Sequence, residues 1–145
     1  MTVSATIAAL QTVHAAITGI NSAPTVVPSN VDQVTLPAAL VWPAEAEWQM
    51  QALDLKRQER TYIVRVYVQA VAQDVAGPNA GYQACVTLLE SFGRAYLADI
   101  TLGGAVDHIS ALRDSGVSGG GFELQWGQVP YWGFVYRVSV VEKSA

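Results

Sequence analysis

Hydrophobic and polar positions change period several times along the chain, and each change marks an expected element. Val3, Ile7, Leu10, Val13, His14, Ile17 and Ile20 recur at three- and four-residue steps, the spacing of one helix face. Thr2 or Ser4 is placed to cap its start, and Gly19 and Asn21 stand where it would stop, so a helix is predicted over about 4–20. The proline-containing NSAPTVVPSN then reads as a linker, about 21–30. An edge strand follows at about 31–41, where Pro37 and Pro43 argue against a central place because proline donates nothing to a ladder.

Residues 44–60, AEAEWQMQALDLKRQER, combine helix propensity with an alternation that sets Trp48, Met50 and Ala52 against Gln49 and Gln51. The favoured reading is a polar arm, a strand or long hairpin leading into the next strand. RTYIVRVYVQAVA alternates most clearly and predicts a strand at about 61–72, with Tyr62, Val64, Val66, Val68 and Ala70 on the core face. The opposite face is mixed, open to solvent in part or to another subunit. QDVAGPN is a turn. Tyr82, Cys85, Val86, Leu89, Phe92, Gly93, Tyr96 and Leu97 then predict a second helix over about 79–98, capped by Asn79. Strands at about 105–113, 122–126 and 132–142 complete the chain. The order predicts a single α+β domain: a mixed, mostly antiparallel sheet with two helices packed against it.

Composition narrows the chemistry. The 145 residues are 51% hydrophobic and 14% charged, which suits one domain with a real core. A net charge of −4 makes a grip on phosphate backbones a poor expectation. The single cysteine, Cys85, excludes an intrachain disulfide and a cysteine-rich zinc site, and reads as a small buried hydrophobe. The N-terminus lacks a basic leader region, Gln11 and His14 interrupt its apolar run, and no stretch is long enough to span a bilayer. The expectation is a soluble chain made in a cytoplasm.

Gly116-Val117-Ser118-Gly119-Gly120 fits the nucleophile elbow G-x-S-x-G. An elbow needs a helix after the serine, followed by an acid and a histidine in that order. Here strand residues follow, and both His14 and His108 precede Ser118. The run also lacks the lysine of a phosphate loop and the helix of a dinucleotide fingerprint. Asp107 and His108 are adjacent, which on a strand would make their side chains diverge, and no H-E-x-x-H exists. Lys56, Arg57 and Arg60 form the one basic cluster, broken by Glu59 and without interleaved aromatics for base stacking. No catalytic residue, cofactor or metal ligand is expected. The aromatics near turns and edges are more suggestive: Trp42 and Trp48 flank the edge segment, and Trp126, Tyr131 and Trp132 flank GQVPYWG. Such residues offer large area with a polar handle, and are used in core packing and in interfaces alike.

The succession of an N-terminal helix, LPAALVWP, a polar arm, RTYIVRVYV, GYQACVTLLESFGRAYLAD and a terminal hairpin ending YWGFVYRVSVVEK resembles the tail terminator (tail-completion, head–tail joining) proteins of long-tailed bacteriophages. The resemblance spans about Leu36 to Lys143 and lies in element order. It implies a sheet flanked by helices, assembled into a homohexameric ring that caps the tail tube and joins it to the neck. DNA would pass through the lumen without specific binding. Partners would be other copies of the chain, the tail tube protein and a neck or connector protein, within the virion at the tail–neck junction. Candidate subunit or ring contacts are then Trp42, Trp48, Met50, Lys56, Arg57, Arg60, Ser118, Gly119, Gly120, Trp126, Tyr131 and Trp132. The alternatives are a neck adaptor or head-completion ring protein, a small hydrolase using Ser118, and a ligand-binding α+β module with a pocket under the second helix.

Overall fold

The computed structural model describes residues 3–25, 35–50, 57–71, 78–114 and 123–143. Helix α1 spans Val3–Ala15, and strands β1 (Ala38–Met50) and β2 (Arg57–Ala70) form an antiparallel hairpin. Helix α2 spans Pro78–Ala98, and β3 (His108–Asp114), β4 (Glu123–Trp126) and β5 (Val129–Lys143) follow. The sheet runs β1-β2-β5-β3, with β4 also on β5, and each of these strand pairings is antiparallel. An isolated parallel bridge, Ser22 to Ala38, adds to the β1 edge.

Strand β5 organises this sheet. Along one side it pairs with β2 from Arg57↔Lys143 to Ala70↔Tyr131, and along the other it meets β4 and then β3. Its alternation sends Phe134, Tyr136, Val138 and Val140 to the face that carries both helices. There they meet Tyr62, Val64, Val66 and Val68 of β2 and Ala39 and Val41 of β1. From the helices, Ile7, Leu10 and Ile17 come down from α1 and the turns after it, and Cys85, Leu88, Phe92 and Tyr96 from α2. Phe92 stands edge-on to Phe134 at 5.7 Å, and Tyr96 lies 5.5 Å from Tyr136.

Several boundaries differ from expectation, each for a physical reason. Helix α1 stops at Ala15, five residues early, and the chain tightens into three-residue hydrogen bonds, Ala16 N–H to Val13 O and Ile17 N–H to His14 O. These turns still deliver Ile17 to the core, so the apolar period outlasts the helix. Residues 35–37 precede β1 instead of belonging to it, and β1 runs on to Met50 through Pro43. Between Trp42 and Glu47 its register shifts, which accommodates a proline on an edge strand. The described parts of the arm, residues 44–50 and 57–60, continue the β1–β2 pairing, with Glu47↔Thr61 and Met50↔Gln58, so β2 begins at Arg57 rather than 61. Strand β3 starts at His108, not 105, because residues 99–107 are turns with positive φ at Leu102, Gly103 and Gly104. Strand β5 starts at Val129, three residues early: a two-residue loop with Gly127 at φ 63° closes the β4–β5 hairpin.

The face away from the helices is covered by the chain itself at one end. A bulge between Tyr67 and Gln69 reverses the alternation of β2, so Ala70 leaves the helix face where it was expected. Ala70 joins Leu40, Tyr67 and Tyr131 in a second cluster, packed by Leu36, Leu124 and Trp126. Among the described residues no helix is long and apolar enough to cross a membrane.

Candidate functional site

Among the described residues, two networks of buried polar side chains tie elements together. The first ties α1 to β1 and α2. Gln11 and His14 face inward beside Leu10 and Ile17, and both are buried. Gln11 Nε2 donates to the carbonyls of Ala39, at 2.9 Å, and Pro24, at 2.5 Å. With its amide hydrogens so used, Gln11 presents Oε1 to His14 Nδ1 at 2.5 Å. His14 therefore carries its proton on Nδ1, and its Nε2 accepts from the Tyr96 hydroxyl. The chain of donors runs one way, from Tyr96 through His14 and Gln11 to two backbone carbonyls. Burial lowers the His14 pKa from 6.5 to about 3, so the ring is neutral, and burial together with Tyr136 pushes the Tyr96 hydroxyl well above its usual value. Each group is thereby held in the protonation state that the relay needs.

The second network joins the ends of β2 and β5. Glu142 is 1% exposed, yet both of its oxygens accept a hydrogen bond. Arg60 Nη1 donates to Oε2 at 2.6 Å and the Tyr62 hydroxyl to Oε1 at 2.7 Å. Burial first, then the Glu142 carboxylate, raises the Tyr62 pKa. Tyr62→Phe removes one donor from a buried carboxylate, and a loss of about 1.5–3 kcal/mol is expected, read as a lower urea midpoint.

Other reactive groups are placed differently. Burial pushes the Cys85 thiol up to about 12, which keeps it from being a nucleophile. Asp107 and His108 do not diverge: their side chains approach to 3.7 Å, because Asp107 precedes β3 and strand alternation does not govern it. Among the described residues no group of three or more metal-ligating side chains converges.

The expected contact residues scatter over the fold. Trp42, Trp48 and Met50 lie in β1, opposite Ile63, Arg60 and Gln58, and Arg57 opens β2 opposite Lys143; these four are described by backbone alone. Lys56, Ser118, Gly119 and Gly120 lie outside the described residues, and with them the elbow-like run. Arg60 turns inward to Glu142 and its side chain is 13% exposed. Trp126 and Tyr131 pack on Tyr67, with ring centroids at 5.0 and 5.8 Å. Trp132 belongs to the helix face, packed against the first core. Strand alternation thus separates the aromatics of PYW onto two faces. The sequence pattern does not single out Gln11, His14 and Tyr96 as a group. The signal it does hold is the i, i+3 placement of Gln11 and His14 inside an apolar stripe.

Among the described residues, two open clefts run along α2. One of about 480 Å³ lies between the end of α1 and the last turns of α2, and another of about 450 Å³ lies across Thr18 and Gly19 toward Pro37 and Val68. No family model matches the chain. No curated protein matches it either.

Proposed function

We propose that this chain is a structural component of a long-tailed bacteriophage particle, a tail terminator. Copies assemble into a ring that caps the tail tube and joins the tail to the neck, with DNA passing through the lumen. The observation that carries this reading is how the fold employs its reactive side chains. His14 has both ring nitrogens engaged, Glu142 has both oxygens engaged, and Cys85 is buried with its thiol raised. These groups brace elements against one another, as a load-transmitting subunit requires. The element order supports the same reading: helix, hairpin arm, helix, then strands closing in the β4–β5 hairpin, as the resemblance to tail terminators implies.

Native mass spectrometry of the purified protein is expected to give a single closed oligomer, six copies by the resemblance. Negative-stain microscopy is expected to show rings, and tail tubes mixed with the protein are expected to carry one at an end. A strict monomer that never caps a tube overturns the reading, and a ring found at the head side of the neck replaces it with the adaptor alternative.

A further inference from the structure

We draw no further inference here: the strongest candidate, the cleft between the end of α1 and α2 that Val13, Ala16 and Ile17 line on one side and Arg94 and Ala95 on the other, is an open, mostly apolar face, and nothing in the structure shows what covers it.

Discussion

Gly133→Ala is expected to be among the most damaging single substitutions in the chain, costing about 4 kcal/mol or more. Gly133 sits in β5 opposite Tyr67, at the edge of the bulge that bends β2. A Cβ at this position would run into the carbonyl oxygen of Val66 and come within 3.1 Å of Leu124 Cδ1. The leucine could rotate away, but the carbonyl is part of β2 and cannot. Relief would require β5 to separate from β2, the pairing that spans the whole sheet and supports the helix layer. Overpacking a core costs about 1–3 kcal/mol when side chains can adjust, and a backbone obstacle lies above that range. Against a total of about 5–15 kcal/mol, the variant would be largely unfolded or unfold at far lower urea. Gly93→Ala provides the contrast. Its Cβ would meet the Tyr136 hydroxyl at 3.4 Å, an ordinary contact, inside α2. That variant is expected to gain up to about 1 kcal/mol from helix propensity. A Gly133→Ala protein within about 1 kcal/mol of wild type would mean that β5 does not approach β2 this closely.

The same bulge shows where local pattern stops being informative. The strands β2 and β5 are legible in the sequence because period-two alternation over ten or more residues suits a half-buried strand and little else. The antiparallel α+β arrangement follows from their order with two helices. Ala70 escapes that pattern because a bulge inserts one residue, and every side chain beyond it changes face without any change in the letters. Strand β1 reads as ending near 41 because Pro43 looks like a stop, whereas the strand continues through it to Met50 and begins only after Pro37. The polar relay is hidden for a different reason. Gln11 and His14 look like interruptions of an apolar run, and Tyr96, 82 residues from His14, looks like one more core aromatic. Each is ordinary alone, and only the packing of α1 on α2 gives them a common purpose. Residues 16 and 94 carry no signal either, since a cleft between two helices exists only after they pack.

That relay determines how the protein responds to acid. The unfolded chain takes up a proton at His14 near pH 6.5, while the folded chain holds that pKa at about 3 because the ring is buried. Between these values the unfolded state binds more protons, so stability rises with pH and is lost as pH falls. The His14 contribution is fully present above pH 6.5 and declines through the window down to about 3. At about 1.36 kcal/mol per pH unit, the loss between pH 7.5 and 4.5 is about 3 kcal/mol, and the full window is worth on the order of 5. Carboxylates elsewhere titrate in the same range, so the informative quantity is the difference from a variant. His14→Gln keeps a donor and an acceptor in the relay but has no proton to take up. Its urea midpoint is expected to start lower at pH 7.5, because the shorter side chain fits the Tyr96–Gln11 gap less well, and then to fall less steeply, so that the two curves converge on acidification. Parallel curves would mean that His14 is reached by solvent in the folded state. In that case α1 would be released from α2 far more readily than the buried Tyr96–His14–Gln11 chain allows.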